Sequence, residues 1–185
     1  MLKWISQLFK KKSNPEALSD YLRWREVVFS ATSAQVDVVT DQPNQVYGVI
    51  MDVGHSDEFT ITITAFPTGE SSVRTTVGGG AIGLGSFEFI ADQAKHIVKL
   101  AQSIITTARP INNHDLPKSQ KVHFYLLTTS GLMLSETTLE LMLNKNTTEE
   151  TPPQIHTFQE MFGRFTEIKR RSEELTKAHR KKMDK

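Results

Sequence analysis

The stretch Phe59-Thr60-Ile61-Thr62-Ile63-Thr64-Ala65 decides the fold. Its strict period of two puts Phe59, Ile61, Ile63 and Ala65 on one face and three threonines on the other, the pattern of a β-strand with one apolar face. Working backwards, residues 46–53 are an apolar run of strand length with Gly48 inside it. Gly54 and the polar Ser56-Asp57 then join the two runs as an antiparallel hairpin. Working forwards, Pro67-Thr68-Gly69 turns the chain into a third strand, about residues 71–77, which completes a meander.

Helical spacing brackets this meander. Asn14-Pro15 reads as an N-cap followed by a proline at the first helical position. Leu18, Tyr21, Leu22, Arg25, Val28 and Phe29 then recur at helical spacing, which predicts a first helix over 15–31, and residues 41–44 read as a turn. Beyond the meander, Phe87, Ile90, Ala91, Ala94, Ile97, Val98, Ala101, Ile104, Ile105 and Ala108 hold the i, i+3, i+4, i+7 pattern, with Ser86 as the cap and Arg109-Pro110 as the stop. After a polar loop over 111–121, Val122, Phe124 and Leu126 alternate with His123 and Tyr125 in a fourth strand that turns at Ser130-Gly131 into a fifth from Leu132. Residues 138–143 fit either a strand or a short helix, and 144–153 read as a linker. Phe158, Met161, Phe162, Phe165 and Ile168 give a last helix its apolar stripe, which thins to Leu175. This order predicts an α+β domain: a single antiparallel sheet of about five strands, a long central helix packed across it, and N- and C-terminal helices. The same order resembles that of the small roadblock, longin and profilin modules, which serve as binding platforms and dimerise.

Composition narrows the class. The chain has 185 residues and is 38% hydrophobic, enough for one domain with a real core. It has no cysteine, which removes disulfides, thiolate metal sites and a cysteine nucleophile. No apolar run reaches the ~18 residues of a membrane span, and the N-terminus lacks the apolar block of a signal peptide, so a cytoplasmic protein is expected. The net charge of +1 hides an uneven distribution. Residues 1–12 carry four lysines and no acid, residues 169–185 carry eight Lys or Arg against three acids, and residues 13–168 carry ten bases against eighteen acids. The segments expected are therefore a basic amphipathic segment over 1–13, the α+β domain over 14–168, and a basic, projecting helix end over 169–185. In the first of these Trp4, Ile5 and Leu8 share a helical face and Lys10, Lys11 and Lys12 follow, a pattern suited to a protein partner or to peripheral membrane contact. Nucleic acid is not expected, because aromatic residues are not interleaved with the basic ones and the acidic body would repel a polyanion.

One loop stands out. Gly78-Gly79-Gly80-Ala81-Ile82-Gly83-Leu84-Gly85 holds G-x-G-x-x-G between a strand and a helix, where backbone N–H groups can cradle a phosphate. The acidic residue of a dinucleotide fingerprint is missing, no Gly-Lys-Ser/Thr follows, and the preceding strands are hairpins, so neither a Rossmann site nor a P-loop fits. Two roles stay open for Gly78, Gly79, Gly80, Gly83 and Gly85: positive φ angles and close backbone approach, or an anion site with Arg74 as counter-charge.

Residues 46–51 (Val-Tyr-Gly-Val-Ile-Met), the loop 78–85 before a long helix, and residues 122–128 with Gly131 soon after resemble a family of small uncharacterised bacterial proteins, over roughly residues 46–165. In that family a histidine often follows the glycine loop; here Ser86-Phe87 stands in its place, which argues against a ligand or base there. The resemblance singles out the loop and implies no activity.

Other chemistry is thin. Asp52, His55, Asp57 and Glu58 could bind a hard cation, but a polar hairpin turn needs the same residue types. Asp92 and His96 form an i, i+4 surface pair, His114-Asp115 lies in a loop without a nucleophile nearby, and no serine-hydrolase, zincin or EF-hand motif occurs. The expectation is a non-enzymatic binding or adaptor module without a cofactor, engaging a protein partner that includes a second copy of itself. The alternative is a small-molecule or phosphate-containing ligand at Gly78–Gly85.

Overall fold

The computed structural model describes residues 14–144 and 152–183, so the candidate contacts Trp4, Ile5, Leu8, Lys10, Lys11 and Lys12 lie outside the described residues. Its middle layer is an antiparallel sheet of seven strands. In chain order these are β1 (Val46–Ser56), β2 (Phe59–Ala65), β3 (Ser71–Thr75), β4 (Gly80–Ala81), β5 (Arg109–Pro110), β6 (Lys121–Thr128) and β7 (Gly131–Thr138), arranged β4-β3-β2-β1-β6-β7-β5. The helices are α1 (Pro15–Phe29), α2 (Glu88–Ser103), α3 (Leu139–Leu143) and α4 (Pro153–Met183). The α+β class and single antiparallel sheet stand as expected. The count of about five strands is corrected to seven, because β4 and β5 are two-residue edge strands too short to show a period. Both edges are thereby blunted, one by glycine and the other by proline, which removes most of the open ladder that invites sheet-to-sheet pairing.

The pleat splits the strand residues between two cores. Val49, Met51, Ile61, Ile63, Val122, Phe124 and Leu126 face α2 and α4, where Ile90, Ala94, Ile97, Met161, Phe165 and Ile168 meet them. Ile50, Tyr125, Leu127 and Leu134 face the other way, towards Val28 and Phe29 of α1 and Val36 and Phe66. The helices on the first face run antiparallel: Phe89 meets Arg171, Gln93 meets Arg164 and His96 meets Glu160. Rings of Phe158 and Phe165 lie 5.3 and 6.5 Å from that of Phe124.

Several boundaries move for local reasons. The first helix ends at Phe29, where Ser30 bonds back to Val27 O. The central helix ends at Ser103 instead of Ala108, because the β-branched run Ile104-Ile105-Thr106-Thr107 tightens into a 3₁₀ turn. Arg109-Pro110, expected as a helix stop, pairs with β7 instead. Residues 84–86 form a 3₁₀ turn, so the N-cap of α2 is Phe87 without a capping side chain, and Ser86 bonds Gly83 O. Residues 138–143 resolve as a helix, capped by Thr138 and burying Leu139 and Met142. In α4, Lys169 and Ser172 are buried and Leu175 is half-buried, so packing continues past residue 168 and the exposed end begins near Lys177.

Candidate functional site

The strand register draws one polar row across six strands. Gly80 pairs with Arg74, Arg74 with Thr62, Thr62 with Asp52, Asp52 with His123, and His123 with Glu136. Alternation puts this row on the face that α1 covers, and Tyr21 and Arg25, one helical turn apart, reach down to it. Arg25 Nη1 lies 2.6 Å from Asp52 Oδ2, and neither atom has another polar partner. Arg25 Nη2 donates to His114 O at 2.6 Å, and the guanidinium carbon sits 4.6 and 5.4 Å from the ring centroids of Phe29 and Tyr125. Thr62 Oγ1 donates to Asp52 Oδ1 at 2.5 Å, so the Tyr21 hydroxyl, also 2.5 Å from Thr62 Oγ1, is the donor in that bond.

This cluster is sealed, with Arg25 2% and Asp52 0% exposed. Burial raises the Asp52 carboxyl above the usual carboxylate range, opposed by Arg25 and the Thr62 bond. Burial also pulls on Arg25, but Asp52 and the two tyrosines outweigh it and hold the guanidinium above its ordinary value. Both tyrosine hydroxyls are pushed up, first by burial and then by Asp52. Chemically the cluster is a clamp: it fixes α1 on the sheet through charges that no solvent reaches.

The row continues to the surface through His123. Tyr125 Oη donates to Asp115 O at 2.5 Å, so its one proton is committed, and His123 Nδ1, 3.0 Å away, is the donor to Tyr125 Oη. A neutral His123 therefore has a bare Nε2, 3.3 Å from Glu136 Oε1, while Glu136 Oε2 takes Arg109 at 2.5 Å. Burial lowers the His123 pKa, against the upward pull of Glu136 and Asp52. Arg109 holds the Glu136 carboxyl below its usual range.

The glycine loop has a structural account at most positions. A Cβ on Gly80 would lie 1.9 Å from Val73 O, and one on Gly85 would lie 2.7 Å from Glu70 Oε2, so these two permit close approach of β4 to β3 and of the 3₁₀ turn to residues 69–70 just before β3. Gly78 packs against Ala17 of α1. Gly83, with φ 71°, has nothing near its Cβ position, and beside it Ile82 is 62% exposed at the loop tip. Gly79 takes φ 92°. Arg74 turns to α1 and lies 5.8 Å from the Trp24 ring, with its Nε buried and unpartnered. The Glu70 carboxylate stands against Gly85, which disfavours an anion cradled by the loop's own N–H groups.

Asp52 is not brought together with His55, Asp57 and Glu58; it points under α1, and among the described residues no three His, Asp or Glu side chains converge to hold a metal. His114, unremarkable in sequence, stacks on Phe29 at 4.0 Å. Sequence reasoning did not pair Arg25 with Asp52, although each interrupts an apolar stripe, and such interruptions are the available signal. A second feature is an open groove of about 660 Å³ beside the free flank of α2, walled by Val38, Val46, Pro67 and Val98 and edged by Lys95 and Lys99. Compared with protein-family models, with curated proteins and with solved structures, the chain matches none.

Proposed function

We propose that the chain is a non-enzymatic binding module whose protein partner is a second copy of itself. The observation that carries this reading is the groove beside α2. Val38, Val46, Pro67 and Val98 give it an apolar strip, Gln45, Asp92, His96 and Gln102 line it beside Lys95 and Lys99, and neither lysine is ion-paired among the described residues. The chain carries a matching element in the outer flank of α1, where exposed Leu18 and Leu22, one turn apart, are flanked by exposed Glu16 and Asp20. Opposed apolar strips with complementary rim charges are the ordinary makings of an interface. With both sheet edges blunted, a helix-in-groove contact is the available mode.

Sedimentation velocity over a rising concentration series tests this. The wild type is expected to dimerise, Lys95→Glu/Lys99→Glu and Glu16→Lys/Asp20→Lys each to sediment as monomers, and an equimolar mixture of the two variants to regain the dimer. A wild type that stays monomeric at every concentration, or variants that dimerise as it does, refutes the reading.

A further inference from the structure

Features that the sequence keeps far apart meet at one edge of the sheet. The first is the loop after β4, which presents Ile82 at 62%, Phe87 at 42% and Phe89 at 41% exposure. Isolated exposed apolar residues are normal, but three stand here within eight positions, around the left-handed Gly83. The second is the end of α4. Because α4 runs antiparallel to α2 and Arg171 lies 4.9 Å from the Phe89 ring, the last three turns of α4 pass the start of α2, beside this loop. Arg170 and Arg171 are paired within the helix to Glu167 and Glu174, whereas exposed Lys177 and Lys181 have no acid partner among the described residues.

Exposed Lys177 and Lys181 therefore stand at the edge that also exposes Ile82 and Phe87. Basic residues alone would suit any polyanion. An exposed isoleucine and phenylalanine at a loop tip suit a surface with an apolar interior beneath its anions, and stable peripheral binding needs such paired signals. No described helix is long and apolar enough to cross a membrane. We propose that the β4 edge is a peripheral membrane surface, with Ile82 and Phe87 entering the interface of an anionic bilayer and Lys177 and Lys181 facing its headgroups. This surface is separate from the groove beside α2 and does not depend on self-association.

Flotation of the full chain tests it, with vesicles of phosphatidylcholine alone and of phosphatidylcholine with phosphatidylserine, at low and high salt. The expected result is flotation with the phosphatidylserine vesicles only, weakened by salt. Ile82→Asp/Phe87→Ser and Lys177→Glu/Lys181→Glu are each expected to lower the apparent partition coefficient roughly tenfold or more, with unchanged melting temperature. These positions are exposed, and serine at residue 87 supplies the N-cap side chain that α2 lacks. If the double variant melts early, Ile82→Asp alone replaces it. Lys95→Glu/Lys99→Glu is expected to float as the wild type does, which separates this surface from the dimer groove. Absence of flotation, equal flotation with phosphatidylcholine alone, or loop and tail variants that float like the wild type would overturn the proposal. So would salt-sensitive binding to duplex DNA that Ile82→Asp/Phe87→Ser retains in full, since that outcome assigns the edge to a polynucleotide.

Discussion

Removing one partner of the Arg25–Asp52 pair is expected to be among the most destabilising single changes in the molecule, and removing both far less so than the sum. In Asp52→Leu, a guanidinium that is 2% exposed loses the carboxylate 2.6 Å from it and keeps only His114 O and two aromatic faces. Breaking a buried pair in this way costs about 3–5 kcal/mol. Arg25→Met leaves the Asp52 carboxylate buried with Thr62 as its remaining donor, at a similar cost at neutral pH. Because Asp52 is already raised by burial, losing Arg25 raises it further. A carboxyl whose folded pKa lies above its unfolded value destabilises the fold as pH rises from the unfolded value through the folded one. The deficit of Arg25→Met relative to the wild type should therefore shrink as pH falls. In Arg25→Met/Asp52→Leu neither charge of the pair remains, and the residual cost is that of the Thr62 hydroxyl left without its acceptor and His114 O without its donor, about 1–3 kcal/mol for each group that stays buried. Urea unfolding of the four proteins, with the dependence on denaturant checked for constancy, gives the cycle. A coupling energy below about 0.5 kcal/mol, the additivity limit for independent sites, would refute the view that these residues act as one clamp.

Other outcomes follow from the same geometry. Gly80→Ala should abolish the β3–β4 pairing and lower the melting temperature strongly, because its Cβ would meet Val73 O at 1.9 Å, whereas Gly83→Ala, with open space around it, should cost only the left-handed strain of roughly 1 kcal/mol. If Gly80→Ala melts like the wild type, the close-approach account of the loop is wrong. His123 has a folded pKa lowered by burial, so the stability it confers is complete above its unfolded pKa and is lost as pH falls through the folded value; His123→Gln should flatten that part of the stability curve. Nitrogen NMR of the ring should show the neutral form protonated at Nδ1, and an Nε2–H tautomer would contradict the chain Asp115–Tyr125–His123. Phe165→Ala, fully buried beneath the sheet, should cost about 3–5 kcal/mol.

The sequence by itself determined the period-two strand at the centre of the meander, the apolar stripes of α2 and α4, and hence the class and the single sheet, because periodicity records which face of an element is buried. It also marked the glycine loop and the uneven charge. What it left undecided was pairing between distant segments. Arg25 and Asp52 are 27 positions apart in the sequence, one read as a member of the first helix's stripe and the other as a candidate cation ligand; only the crossing of α1 over β1 sets them 2.6 Å apart. The edge strands β4 and β5 were equally illegible, since two residues carry no period and exist as strands only where β3 and β7 offer a free ladder. The nearness of the end of α4 to the start of α2 follows from the antiparallel packing of these two helices, which no local pattern encodes.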